Sequence, residues 1–299
     1  MKATSRGDAL ISIVMPSRNQ KAFLPEAIES ILCQAGVRLE IIVADGASTD
    51  GTVEWLETKA KKDPRLRWFS KPDTGPAEAV NRAIRMARGS VIGWLNSDDR
   101  YVEGALQRGL DALYHDPQAL MVYGHADHID ESGRRLGSYP TLPPDAPIEK
   151  FLDGCFICQP TVFFKRTFFL LNGPLDESLK TAFDFEWWLR AFSNFQDRIT
   201  FVDALQAESR LHRDCITMKQ RKQVMLESMS VLHRHLGQAP AHWVKTWVLE
   251  AITTEEITGS NEIFMTNLEC EIRQWIGQKV LVELRKWFQH LPFKSQGQS

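Results

Sequence analysis

The chain has almost no surplus charge, few cysteines, no long apolar run and no glycine-rich phosphate loop, and each absence removes a class of function. Its 36 Lys and Arg stand against 38 Asp and Glu, a formal net charge of -2. Nucleic acid or another polyanion therefore finds no basic field to recognise, and any anion must be held locally. The five cysteines, Cys33, Cys155, Cys158, Cys215 and Cys270, are odd in number and scattered, which suits reduced thiols in a cytoplasmic compartment better than a disulfide framework. Cys155 and Cys158 form a C-x-x-C, but with no second pair or histidine cluster nearby it does not read as a zinc site. Met1 to Asp8 is polar and the apolar run after it is about one strand long, so neither a secretory leader nor a first membrane span is expected. No G-x-G-x-x-G follows the first apolar run, and no G-x-x-x-x-G-K-S/T occurs anywhere.

What is present, from Leu10 to about Tyr123, is an alternation of short β-branched runs with helical patterns, the signature of βαβ units and a mainly parallel sheet. The expected strands are Ile11 to Met15, Leu39 to Ala44, Leu66 to Ser70, Val91 to Leu95 and Leu120 to Tyr123. The expected helices are Pro25 to Cys33, Thr52 to Lys61, Pro76 to Ala87 and Glu103 to His115, several opened by a proline or a capping residue. Turn chemistry at Asp130 to Gly133 and four prolines between Pro140 and Pro147 mark a linker. Beyond it, strand-like runs at Thr161 to Lys165, Ile199 to Val202 and Ala207 to Leu211 flank a helix from Asp184 to Phe195. From Thr217 onward the pattern is helical.

In open α/β sheets, ligands bind at the carboxyl ends of the strands. Three expected strand ends carry polar residues: Pro16-Ser17-Arg18-Asn19, Asp45 through Gly51, and Asn96-Ser97-Asp98-Asp99. Singly, each could be a turn or a helix cap. Together they converge on one crevice, which caps do not require. With no phosphate loop, a bound diphosphate needs another charge partner, and Asp98 with Asp99 offers hard oxygen ligands for Mn²⁺ or Mg²⁺ that can bridge phosphate oxygens.

These residues resemble the inverting family 2 glycosyltransferases of the GT-A fold. The match runs from about Ser12 to Thr217 and rests on Ile13 to Asn19, Ile42 to Thr52, Pro72-Asp73-Thr74-Gly75 with Ala79-Val80-Asn81, and Trp94 to Asp99. The resemblance implies a GT-A, Rossmann-like sheet flanked by helices. Residues 1–216 would form it, with a nucleotide-sugar half (1–124) and an acceptor half (125–216), followed by a helical region (217–299). It also implies that Pro16, Arg18 and Asn19 line the nucleotide pocket, that Asp45 bonds the base with Asp73 beside it, and that Asn96 and Asp98 face the donor. Asp99 would be the main metal ligand, helped by Asp98. A base-binding carboxylate accepts from the ring N–H of uracil or thymine, which favours UDP or dTDP sugars. The chain departs from the family at Ala44, where a second acid is common, and at Asn96, where aspartate is common.

An inverting transfer needs a carboxylate beside the acceptor hydroxyl. Phe183-Asp184-Phe185-Glu186-Trp187-Trp188 resembles the family segment that carries it, with Asp184 the expected base and Glu186 the fallback. Capping the following helix is the plain alternative for Asp184. Ser209-Arg210-Leu211-His212-Arg213 resembles the family segment in which the histidine reaches the metal, with Arg210 and Arg213 as phosphate contacts, and Gln159 is expected near the acceptor. Near the C-terminus, Ile276, Val280, Leu284, Trp287 and Leu291 repeat at helical spacing beside Arg273, Lys279, Arg285 and Lys286. That pattern suits packing, a homodimer contact or an anionic membrane surface. The acceptor is expected to be a glycan or lipid-linked, in bacterial surface polysaccharide synthesis, with the enzyme cytoplasmic or peripheral on the inner face of the membrane. A nucleotidyltransferase or a silent nucleotide-sugar-binding protein would share much of this pattern.

Overall fold

Two runs, Leu10–Ser17 (β1) and Arg38–Asp45 (β2), bury nearly every side chain, as strands covered on both faces must. The structure, a computed structural model, describes residues 9–253 together with residues 282 and 286. The elements after β1 and β2 alternate as expected: α1 (Leu24–Leu32) lies between them, followed by α2 (Thr52–Lys62), β3 (Leu66–Ser70), α3 (Pro76–Met86) and β4 (Val91–Trp94). Then come β5 (Arg100–Tyr101), α4 (Ala105–His115), β6 (Met121–Ile129), β7 (Arg135–Ser138), β8 (Phe163–Lys165), α5 (Arg166–Asn172), α6 (Phe183–Phe195) and β9 (Ile199–Arg210). Three helices close the described chain: α7 (Ile216–Lys219), α8 (Arg221–Leu236) and α9 (Ala241–Thr253). The chain divides into compact units at residues 1–218 and 219–299. In the second, α8 packs on α9, burying Met229, Val231, Leu232 and Val244.

The described strands form one sheet in the order β3-β2-β1-β4-β8-β6-β9-β5, with β7 on β6. The pairs β3–β2, β2–β1 and β1–β4 are parallel, as the alternation predicts. Beyond β4 the sheet is mixed: β4–β8, β8–β6, β6–β7 and β9–β5 are antiparallel, and only β6–β9 is parallel. Side-chain alternation marks a strand but not its direction, so this half of the sheet was not legible as mixed.

Ile11, Ile13 and Met15 of β1 join Ile41 and Val43 of β2 in a core with Leu24, Ile28 and Ile31 of α1 and Leu106, Leu110 and Leu113 of α4. The other face is covered by α3, which packs on β1 and β2. There a polar network crosses three strands. Glu40 accepts from Ser12 Oγ (2.6 Å), Arg88 N (2.7 Å) and Arg67 Nη1 (2.8 Å). Burial opposes its charge, but these bonds hold its pKa below the usual carboxylate value.

Gly109 of α4 shows how closely the core is packed, since a Cβ there would stand 2.5 Å from Phe163 Cδ2. Helix propensity alone favours Gly109→Ala by up to about 1 kcal/mol, whereas overpacking a filled core costs about 1–3 kcal/mol. The clash wins, so Gly109→Ala is expected to lower the free energy of unfolding in urea.

Candidate active site

The strand order reverses between β2-β1 and β4, and the crevice at that switch point is where an open α/β sheet binds ligands. The loops leaving β1 and β2 meet there. Asn19 N–H donates to Ser48 Oγ (2.7 Å), Thr49 N–H to Asn19 Oδ1 (2.8 Å), and Gly46 N–H to the Ser17 carbonyl (2.8 Å). Asn19 (φ 54°) and Ala47 (φ 60°) are the non-glycine residues with positive φ among the described residues. Both lie in these two loops, and such backbone is kept only where its surroundings enforce it. The stitching presents Pro16 and Ser17 at the end of β1, and the buried Ser17 hydroxyl has no protein partner.

Asp45 is buried at the end of β2. Its carboxylate accepts from Ser48 N–H (2.9 Å), Ser70 Oγ (2.6 Å) and Ser48 Oγ. A carboxylate has about four acceptor positions, so one remains. Asp73 leans over the same loop: a Cβ on Gly46 would stand 2.7 Å from Asp73 Oδ2. Burial pushes the Asp73 carboxyl up, against the Gly75 N–H bond and the charge of Arg18. Arg18, which is exposed, thus lies near both strand-end loops.

After β4 the chain turns through Asn96 to Asp99. Asn96 Oδ1 accepts from the Trp94 indole (3.1 Å) and its amide approaches Asp99 Oδ2 (3.4 Å). An aspartate at 96 would set a third acid beside Asp98 and Asp99, so the amide relieves repulsion there. Asp99 is buried and accepts from Arg210 N–H (2.8 Å). Burial and the Asp98 charge push its pKa well up, against bonds from Arg210, Ser209 and Asn96.

Asp98 points the other way, with Oδ2 3.1 Å from Nε2 of the buried His212, whose ring is tilted against Phe23 at 4.8 Å. Carboxylate and imidazole 114 positions apart thus meet at one spot. No group of three or more His, Cys, Asp and Glu is placed to hold a metal among the described residues. Asp98 and His212 would offer Mn²⁺ or Mg²⁺ two donors of suitable chemistry. Two neighbouring acids whose repulsion already raises Asp99 suit a cation.

Arg210 is a correction to expectation. Its side chain is buried and its donors are spent on the Asp98 carbonyl (2.9 Å), the Asp130 and Glu131 carbonyls (3.1 and 3.0 Å) and Glu26 (2.6 Å). It fixes the Asp98 turn to β9 and α1, the work to which its side chain is committed. Arg213 is exposed and lies 3.5 Å from Asp214.

The helix α6 brings Asp184 to the same region. Ala182 occupies the N-cap position, so Asp184 sits within the first turn rather than capping it. Phe183 stacks on Trp94 at 5.8 Å, and Cys158 feels the charges of both Asp99 and Asp184. Loss of solvent pushes the Asp184 carboxyl up to about 6, against its bond from Phe185 N–H (2.7 Å). Glu186, by contrast, is buried and paired with Arg190 at 2.8 Å. The Cys155 thiol is pushed up to about 12 by burial and by Asp184. Cys155 and Cys158 are thus neutral thiols packed beside the carboxylate. Gln159 is buried, donates to the Trp94 carbonyl (2.6 Å) and keeps Oε1 without a protein partner.

Sequence reasoning did not single out Phe23, Glu26 or Ser209 as site supports. Their roles come from contacts between distant segments, and no local pattern announces them. The basic amphipathic segment around Trp275 to Leu291 lies outside the described residues except for Val282 and Lys286. No helix among the described residues is long and apolar enough to cross a membrane.

A half-parallel sheet with acids at its switch point and a mixed extension beyond it is the GT-A fold of nucleotide-sugar glycosyltransferases. The model of Glycosyl transferase family 2 matches residues 12–176, and the chain belongs to that family. The chondroitin synthase of Escherichia coli is 30% identical over 188 residues, 63% of this chain but 27% of that enzyme. The chain likewise spans 18% of a Pasteurella multocida chondroitin synthase. Among solved structures, S. aureus TarS 1-349 in complex with UDP-GlcNAc is similar with a TM-score of 0.66 at 17% identity, covering 94% of this chain and 86% of that one. The mannosyltransferase PcManGT from Pyrobaculum calidifontis, in complex with GDP-Man and Mn²⁺, is similar with a TM-score of 0.59 at 15% identity, covering 93% and 83%. At these identities the structural likeness is one of fold.

Proposed function

We propose that the chain transfers a sugar from a nucleotide diphosphate, UDP or dTDP before GDP, to an acceptor hydroxyl with inversion at the anomeric carbon. The observation that carries this reading is the meeting of Asp98 with His212 at the switch-point crevice, with Asp184 next in sequence to Phe183, which stacks on Trp94. Relatives support the donor class: TarS has been solved with UDP and with UDP-GlcNAc. Family membership sets aside the nucleotidyltransferase alternative.

Asp45 and Asp73 read the base, Asp45 with its one remaining acceptor position. Asp98 and His212 would hold Mn²⁺ or Mg²⁺, while Asp99 anchors their turn. A bound dication neutralises the charge that develops on the departing diphosphate. Asp184 takes the proton of the acceptor hydroxyl as its oxygen bonds the anomeric carbon and the bond from that carbon to the phosphate oxygen breaks, releasing the nucleoside diphosphate. The acceptor is a glycan or lipid-linked sugar of a bacterial surface polymer, and the enzyme works in the cytoplasm or on the inner membrane face.

A base pushed up to about 6 is still ionised at neutral pH and closer to the operating range than a free carboxyl. It loses its proton as pH rises, so kcat is expected to climb about tenfold per pH unit below 6 and to level above it. A stopped assay of UDP release across pH 4.5 to 8.5 checks this. Proton NMR of the product tests the reaction itself: an anomeric configuration opposite to the donor's supports single displacement, and a retained configuration overturns it.

A further inference from the structure

The segment between α5 and α6, residues 173–182, is tied at both ends. Toward α6, Trp187 Nε1 donates to the Gly173 carbonyl (2.8 Å), and Arg190, itself paired with Glu186, donates to the Asn172 and Pro174 carbonyls. Toward α3, the buried Asn81 amide donates to the Leu175 carbonyl (2.9 Å) and Glu177 Oε1 (2.8 Å) and accepts from Leu175 N–H (3.0 Å). Then Lys180 reaches the loop that precedes α3: its Nζ donates to the Thr74 carbonyl (2.8 Å) and the Glu177 carbonyl (3.3 Å).

Thr74 is the neighbour of Asp73, on the nucleotide side of the crevice, and Lys180 stands four residues before Asp184. We infer that Lys180 is a positioning residue that couples occupancy of the donor loop at Asp73-Thr74-Gly75 to the placement of Asp184, so that the base is set when donor is bound. The inference rests on the donor reading above. Asn81 uses its amide N–H and carbonyl in the contact and Arg190 locks the far end, so a shift of the Thr74 carbonyl is passed to a segment with little slack. Lys180 itself is exposed. Exposed bonds of this kind add little to stability, so removing them separates coupling from folding.

The test is hydrogen–deuterium exchange of the full chain with and without UDP and Mn²⁺, on wild type, Lys180→Met and Lys180→Arg, with UDP affinity and melting temperature measured alongside. In wild type, UDP is expected to slow exchange both at residues 72–75 and at 173–182. Lys180→Met is expected to keep UDP affinity within about threefold and protection at 72–75, and to lose at least half of the protection at 173–182, with Lys180→Arg restoring it. Protection confined to 72–75 in wild type, or unchanged protection at 173–182 in Lys180→Met, overturns the coupling and leaves the donor reading standing. No UDP binding by folded wild type overturns both.

Discussion

Asp184→Asn is expected to lower kcat by about 10²–10⁴-fold, the usual worth of general-base catalysis, while UDP affinity stays within about twofold because the residue lies on the acceptor side. The substitution keeps size and hydrogen bonding and removes only the capacity to take a proton. Its effect on stability runs the opposite way. The folded carboxyl titrates near 6 against a reference of 3.8, so its favourable contribution is complete below pH 3.8 and is lost as pH rises through 6. At pH 8 the wild type carries an ionised, poorly solvated group that asparagine lacks. Asp184→Asn is therefore expected to melt no lower than wild type at pH 8, and higher at pH 8 than at pH 5 by comparison with it. Unchanged kcat in a folded Asp184→Asn would remove Asp184 from the role of base. The neighbouring Glu186 is a poor substitute, since its carboxylate is buried and engaged by Arg190.

Asp98→Ala is expected to weaken Mn²⁺-dependent UDP binding by more than about 100-fold, since loss of an outer-shell partner alone costs about 10–100-fold in metal affinity. His212→Ala should act in the same direction. Asp99→Ala should behave differently: it leaves the Arg210 N–H without its acceptor inside the protein, and an unsatisfied buried donor costs about 1–3 kcal/mol of stability. Calorimetric titration of UDP with and without Mn²⁺, together with urea denaturation, separates the two effects. Full loss of metal-dependent binding in a stable Asp99→Ala, with Asp98→Ala unaffected, would move the ligand back to the residue that the family resemblance favours.

The parallel half of the sheet was legible because β1, β2 and β4 are short β-branched runs and β3 a short aromatic one, separated by amphipathic helices with proline or capping starts. The mixed half was less so. The single strand β9 reads as two strands because its middle, Asp203-Ala204-Leu205-Gln206, breaks the apolar pattern where the register with β6 shifts between Gly124 and Ala126. The helix α5 was missed for a related reason. Its run of Phe168, Phe169, Leu170 and Leu171 is continuously apolar, with the phenylalanines buried and Leu170 and Leu171 exposed at 78% and 56%, so no helical period separates its faces.

At the site, strand-end acids were visible as motifs, and the pairing of Asp98 with His212 follows once the segment order is accepted. Which of two adjacent acids stands beside His212 was not visible. That depends on Arg210, whose backbone N–H takes Asp99 while its side chain bonds Glu26 on a helix 184 positions away. The same contact explains why Arg210 fails as a phosphate ligand: the guanidinium is the keystone of the turn. Asn96 became intelligible only beside Trp94 and Asp99, where an amide can accept from the indole and donate to the carboxylate.

The most direct test of the central reading is thermal stabilisation of the full chain by a panel of UDP, dTDP and GDP sugars, each with and without Mn²⁺. The account predicts a rise in melting temperature for a uridine or thymidine donor that depends on Mn²⁺ and disappears in Asp98→Ala. A folded protein that no member of the panel stabilises, with or without the metal, would contradict it.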